Sequence, residues 1–153
     1  MPPVTVRLAT LEDVEFLGQV MLGAHLQEHP DFPDEATAAW IEGAREDTRE
    51  QVLGLVKDST MYVIQADTER VGRLRVVRPP DRHLLAGIQI IPTHQRKGVG
   101  TAVITGLLQE ARDAGVPLEL KVSKNNADAE RLYRRLGFLH SGVEGDEFVM
   151  TAE

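Results

Sequence analysis

The segment Ile90-Ile91-Pro92-Thr93-His94-Gln95-Arg96-Lys97-Gly98-Val99-Gly100-Thr101 carries the first chemistry legible in this chain. An apolar run closes at a proline, a tight loop follows, and a helix is expected to begin at two glycines. The first turn of a helix has backbone N–H groups without internal partners, and its dipole favours negative charge. Gly98 and Gly100 have no side chains to keep phosphate oxygens from those groups. Arg96 and Lys97 add positive charge at the same end. Two other phosphate loops fit worse. The G-x-x-x-x-G-K-S/T run is absent, and a dinucleotide fingerprint needs a third glycine where Val103 stands. Glycines can also open a helix for packing alone, so the loop by itself leaves both readings open.

A second constellation follows. Asn126, Ala129 and Tyr133 stand at i, i+3 and i+7 of the next expected helix and so share one face. Asn126 can offer an amide to a peptide-like group. Ala129 is small enough for a ligand to lie against. Tyr133 presents a phenol that can donate a hydrogen bond or a proton. An amphipathic helix with a tyrosine at its core edge would explain that residue alone. Leu136 and Phe138 are expected in the core.

The surrounding elements must hold these groups. Val4, Val6 and Leu8 alternate as a first strand. Thr10 followed by Asp13 reads as a helix N-terminus, and Leu11, Val14, Leu17, Met21 and Leu22 keep helical spacing. Pro30 and Pro33 break the pattern. A second helix is expected over residues 34–57, with an interruption near Gly43. Strands are expected over 61–64, 71–77 and 84–91, separated by turns at 67–70 and 79–81. A helix over 98–114 ends at Gly115, and Leu118, Leu120 and Val122 alternate into a further strand. The Asn126 helix ends at Gly137, a residue suited to a helix C-terminus, and Phe138 opens a last β region with a turn near Glu144-Gly145-Asp146. The order implies an α/β (α+β) mixed sheet with helices on both faces. Residues 84–123 form a strand-helix-strand unit, which implies a parallel pair with a right-handed crossover.

The two segments together resemble the GNAT superfamily of acetyltransferases. Gln95-Arg96-Lys97-Gly98-Val99-Gly100 is similar to its pyrophosphate loop, Q/R-x-x-G-x-G/A. Asn126-Ala127-Asp128-Ala129-Glu130-Arg131-Leu132-Tyr133-Arg134-Arg135-Leu136-Gly137-Phe138 is similar to its N-x-x-A-x-x-L-Y-x-x-x-G-F pattern. The close match covers residues 84–138, and the order of the other elements agrees with the fold by analogy. The resemblance implies a mostly antiparallel central sheet with a splayed parallel pair, and acetyl-CoA as cosubstrate. Ile90 and Ile91 would pair with the pantetheine arm through backbone groups. Gln95, Arg96, Lys97, Gly98, Val99, Gly100 and Thr101 would wrap the pyrophosphate. Asn126 would contact the pantetheine or nucleotide portion, against Ala129. Tyr133 would protonate the departing thiolate. An amine acceptor, a small molecule or a protein amine, would attack the thioester directly. The alternative is a non-catalytic acyl-CoA-binding sensor or partner module. A homodimer is also expected, since many members of the superfamily pair through the C-terminal β region or the sheet edge.

Composition narrows the classes. At 153 residues, a single domain of residues 1–153 is expected. No cysteine is present, which excludes a thiolate zinc site and a cysteine nucleophile. A net charge of −7 argues against general nucleic-acid binding. Residues 1–10 lack a basic-then-apolar run, and no stretch suits a membrane span, so a soluble, cytoplasmic protein without membrane partners is expected. His25 and His29 lie four apart, but Pro30 ends the helix and no third ligand is evident. Solvated histidines and no metal are therefore expected. Arg70, Arg73, Arg75 and Arg78 could line a pocket for an acidic acceptor, although a solvated strand face is the plainer reading. Phe32 and Trp40 suit either an acceptor border or the core. No general base is assigned. His83 and Gln89 are the polar candidates on the strand before the loop, and Glu119 lies on the next strand.

Overall fold

The protein is described by a computed structural model over residues 3–153. Its strands are β1 (Val4–Leu8), β2 (Ser59–Ala66), β3 (Glu69–Val77), β4 (His83–Ile90), β5 (Leu118–Ser123), β6 (Leu139–Glu144) and β7 (Glu147–Ala152). Its α-helices are α1 (Val14–Glu28), α2 (Thr37–Val52), α3 (Val99–Ala114) and α4 (Ala127–Arg135). One seven-stranded mixed sheet runs in the order β1-β2-β3-β4-β5-β7-β6. β4 and β5, linked through α3, are its parallel pair, and the remaining neighbours are antiparallel.

Strand alternation sorts the side chains between two faces. Leu74 and Val76 of β3 meet Ile104, Leu107 and Leu108 of α3 in the larger core, with Phe138 wholly buried at its centre. On the opposite face, Met61 and Val63 of β2 pack against Leu17 of α1. Each fully buried leucine or phenylalanine contributes roughly 1.5–3 kcal/mol of transfer free energy, so these two layers fix the position of the helices on the sheet.

The start of α1 follows the Thr10–Asp13 pattern. Thr10 N–H donates to Asp13 Oδ2 at 2.8 Å. Arg7 grips the same carboxylate with two hydrogen bonds, 2.8 and 2.9 Å, and Arg70 adds a third at 3.3 Å. The Arg7 guanidinium and the Thr10 N–H hold the Asp13 carboxyl well below the usual carboxylate range despite its burial.

Helix α2 departs from expectation. It is continuous through Gly43, where a Cβ would meet open space, so that glycine costs only backbone entropy. It stops at Val52 rather than near residue 57, because Gly54 adopts a left-handed φ of 74° and turns the chain out of the helix.

Candidate active site

The parallel pairing of β4 with β5 is short. His83, Leu84 and Leu85 lie beside Leu118, Glu119 and Leu120, and the two strands then part. β5 continues against β7, while β4 continues against β3 alone. The divergence begins at Ala86, an extra residue in β4: Val76 pairs with Leu85 but Arg75 pairs with Gly87. Such a bulge bends its strand and re-aims the residues on its far side. Beyond it, Ile91 N–H donates to Val71 O at 2.9 Å. The alternation of an antiparallel ladder then turns the N–H and C=O of Ile88 and Ile90 towards the gap.

A cleft of about 580 Å³ opens there, between α1 and the end of β4. Ile88, Gln89, Ile90, Ile91, Gln95 and Asn126 are on its wall. Ile90 thus presents backbone to the cleft, with its carbonyl already accepting from Gln95 Nε2 at 2.9 Å. Ile91 has both backbone groups engaged, its carbonyl by His94 N–H, and contributes its side chain.

The loop after β4 reaches α3 through two left-handed residues, Arg96 at φ 62° and Gly98 at φ 82°. Gly98 is the N-cap and has no side chain with which to cap. The first intrahelical bond of α3 is Ala102 N–H to Gly98 O, and the N–H groups of Val99, Gly100 and Thr101 have no partner among the described residues. A Cβ on Gly100 would meet nothing within 4 Å. A bare, uncapped first turn is therefore open to an anion. Arg96, Lys97 and Thr101 are exposed beside it, and Val99 is buried as the first core anchor of α3.

Asn126 is the N-cap of α4. Its Oδ1 accepts from Ala129 N–H at 3.1 Å, which leaves its amide nitrogen as the group available to the cleft. Ala129 and Tyr133 lie half-buried on the face of α4 that packs on the core. Tyr133 meets Phe138 edge to face, ring centroids 5.8 Å apart. Burial raises the Tyr133 phenol above its ordinary value, so it is a proton donor at neutral pH. It is not on the wall of the 580 Å³ cleft.

Three features escape the sequence reading. Arg131, Arg134 and Arg135 gather with Arg96 and Asp128 around a cavity of about 690 Å³ beside the loop. Arginines at i, i+3 and i+4 of one helix were the available signal. Arg73, expected on a solvated face, is 6% exposed. Its Nη1 donates to Gln89 Oε1 at 2.8 Å, while its Nε is buried without an acceptor among the described residues. Burial, reinforced by Arg75, pulls the guanidinium down to about 10, which leaves it charged at neutral pH. His25, expected in solvent, is instead half-buried in an aromatic cluster. It stacks on Trp40 at 4.4 Å and meets Phe32 and His29 at 4.6 and 4.7 Å.

That cluster accounts for Phe32 and Trp40, which are not on the cleft wall. No group of three metal-ligating side chains is present among the described residues. His83 pairs with Glu110 at 3.4 Å, and Glu119 lines a separate cavity with Arg75 and Lys121. Among the described residues, Glu28 is the one ionisable side chain on the cleft wall. No helix there is long and apolar enough to cross a membrane.

The model of the acetyltransferase (GNAT) family matches residues 21–138. The chain is similar to streptothricin acetyltransferase of Streptomyces lavendulae, 30% identical over 125 residues, which are 79% of this chain and 62% of that protein. It is also similar to the ribosomal protein bS18 alanine N-acetyltransferase of Escherichia coli, 35% identical over 72 residues, 46% of this chain and 49% of the other. The chain thus spans about half to three-fifths of the length of these curated relatives. Among solved structures, the PaiA N-acetyltransferase of Thermoplasma acidophilum in complex with coenzyme A superposes with a TM-score of 0.82 at 18% identity, covering 99% of both chains. An acetyltransferase of Thermus thermophilus superposes at 0.78 with 18% identity, covering 99% of this chain and 98% of the other. At such identities these structures show a shared fold.

Proposed function

Since the chain belongs to the acetyltransferase (GNAT) family, we propose that it is an N-acetyltransferase that uses acetyl-CoA to acetylate a primary amine by direct attack. One observation carries the reading: the uncapped start of α3 opens beside the gap where β4 and β5 part. The residues fit the cosubstrate. The N–H groups of Val99, Gly100 and Thr101 suit its pyrophosphate, with Arg96 and Lys97 adding charge. The arginine cavity of Arg96, Arg131, Arg134 and Arg135 suits the remaining phosphate of the nucleotide end. Ile88 and Ile90 offer backbone groups to the amide-bearing arm in the gap, and Asn126 offers an amide N–H beside Ala129.

In the reaction, the amine nitrogen bonds to the thioester carbonyl carbon. Backbone N–H groups at the gap stabilise the oxygen as it gains charge. The carbon–sulfur bond then breaks, the sulfur takes a proton from Tyr133, the amine loses one to solvent, and the phenolate regains one from solvent. The phenol is kept protonated by its burial, as an acid requires. No covalent enzyme intermediate is involved.

A thiol-release assay with acetyl-CoA across a panel of primary amines tests this. Release that depends on the amine supports the enzyme. The neutral Gln89 in the cleft favours one competing reading, a non-catalytic acyl-CoA-binding module. Tight CoA binding without release on any amine would establish that module instead. The acceptor class, a small molecule or a protein amine, is the subject of the same panel. The wholly exposed edge strand β6 supports a homodimer through the sheet edge.

A further inference from the structure

Two charged side chains are buried on or beside the α1 face of the sheet, and their surroundings differ. Asp13, 2% exposed, accepts from Arg7, Arg70 and the Thr10 N–H. Arg73, 6% exposed, has a single hydrogen bond, to the neutral Gln89 amide, and no carboxylate within salt-bridge distance among the described residues. Asp47 acts on it only at longer range, and Arg75 repels it. A buried cation without a counter-ion is a liability to the fold unless something else supplies the charge.

The local geometry makes room for that something. Gly87 faces the same side as Arg73, and a Cβ there would stand 2.7 Å from Arg73 Nη1, so the guanidinium fills the space a side chain would take. A guanidinium only donates hydrogen bonds, so the Gln89 carbonyl must face Arg73 and its NH₂ is the remaining polar end. Gln89 lies on the cleft wall, three residues beyond Ala86. The cleft wall thus carries the amide donors of Gln89, with the uncompensated positive charge of Arg73 buried behind them.

We propose that Arg73 and Gln89 bind a carboxylate of the acceptor, so that the substrates are small amines that also carry a carboxylate. This rests on the acetyl-transfer reading and names the acceptor class for that site. The carboxylate accepts from Gln89 Nε2 and supplies the charge that Arg73 lacks. Arg75, the next residue on the same face, is already engaged with Ser59 Oγ at 3.0 Å and lines the adjoining cavity.

The test uses the full chain and pairs of amines that differ only in a carboxylate or its primary amide: glycine and glycinamide, β-alanine and its amide, 4-aminobutyrate and its amide. With saturating acetyl-CoA, one spacing at least should favour the carboxylate by about 10- to 100-fold in kcat/KM, chiefly through KM, the usual worth of a charge-assisted hydrogen bond. Arg73→Met should bring that ratio to within about twofold of unity, with a melting temperature at or above wild type. Gln89→Glu gives the guanidinium a counter-ion of its own and should erase the preference while Arg73 remains in place. If Arg73→Met does not fold, Gln89→Glu decides alone. Equal kcat/KM within every pair, or a preference that survives both substitutions, overturns the proposal and leaves Arg73 a brace between β3 and β4. Should no amine be acetylated, the same pairs are titrated calorimetrically into the CoA-bound protein. Carboxylate-selective binding that depends on Arg73 sustains the inference while the catalytic reading falls, and binding without that selectivity ends the inference as well.

Discussion

At the start of α3, just beyond Gln95 on the cleft wall, the proposed binding groups are backbone N–H groups, with no side chain on Gly98 or Gly100 to cover them. At the Gln89 end they are side chains, with the charge of Arg73 held behind an amide. The first arrangement recognises a ligand by subtraction. It needs residues that are missing a side chain at fixed spacing, and that spacing is local in the sequence. The second is assembled across β3 and β4 and depends on burial, which only the tertiary structure creates. On the proposed reading, the first end holds the cosubstrate and the second tells acceptors apart.

The severest way to break this contrast is at Gly98. Gly98→Glu places a negative side chain at the phosphate position and forces a left-handed φ of 82° on a residue that resists it. CoA binding should fall below calorimetric detection. Wild-type affinity in that variant would remove the loop from the site.

Tyr133, the proposed acid, comes next. Tyr133→Phe keeps the ring against Phe138 and removes only the hydroxyl. Single-turnover kinetics with a responsive amine should show a chemical step slower by about 10²–10⁴-fold, with CoA affinity little changed. A rate within a factor of two of wild type would mean that water protonates the thiolate and that the tyrosine only packs.

Gly100→Ala is gentler and sharper. Its Cβ enters open space, so the fold should hold or gain up to about 1 kcal/mol from better helix propensity. CoA affinity should nevertheless drop at least about tenfold, or ~1.4 kcal/mol, because the same open space is the ligand's. A variant that is stable and binds normally would show that bare backbone is not what this end uses.

The smallest effect concerns Asp13, the buried charge with a full set of partners. Its folded-state pKa is depressed, so its contribution is present above the unfolded value and lost as pH falls. Denaturant titrations should show stability declining below about pH 4. Asp13→Asn should cost about 1–2 kcal/mol at pH 7 and flatten that decline, the figure being held down by the partial exposure of Arg7 and Arg70. If the substitution costs nothing, full pairing does not distinguish Asp13 from Arg73.

The strands from Val4 to the end of β4, the glycine-bounded α3 and the Asn126 helix were all legible, because alternation, glycine caps and an Asx N-cap act over a few neighbouring residues. The mixed sheet and its short parallel pair followed from element order. The end of α2 is legible at Gly54, a residue suited to the left-handed turn that stops a helix. The features that the sequence hid have a common cause. Arg73, amid Arg70, Arg75 and Arg78, reads as a solvated stripe, and only the cover of neighbouring elements makes it different from the others. His25 looks like a helix-end histidine until Phe32 and Trp40 are brought back over it by the chain reversal between α1 and α2. The shared face of Gln89 and Arg73 was equally hidden, because strict alternation from Leu85 would place Gln89 on the opposite side of β4.

Ala86, the extra residue of β4, has a consequence for how this protein tolerates gain and loss of sequence. Deleting it would leave Leu85 and Gly87 on the faces they now occupy, so the hydrophobic layers would keep their complement of side chains. The strand would lose its bend, however, and its second half would run on beside β5. Such a shortened chain would retain a sound core, a sound sheet and every residue named in the cleft, with no aperture left between the two strands. On the proposed reading, room for the cosubstrate therefore depends on the tally of residues along one strand, through a single surplus alanine with an exposed side chain.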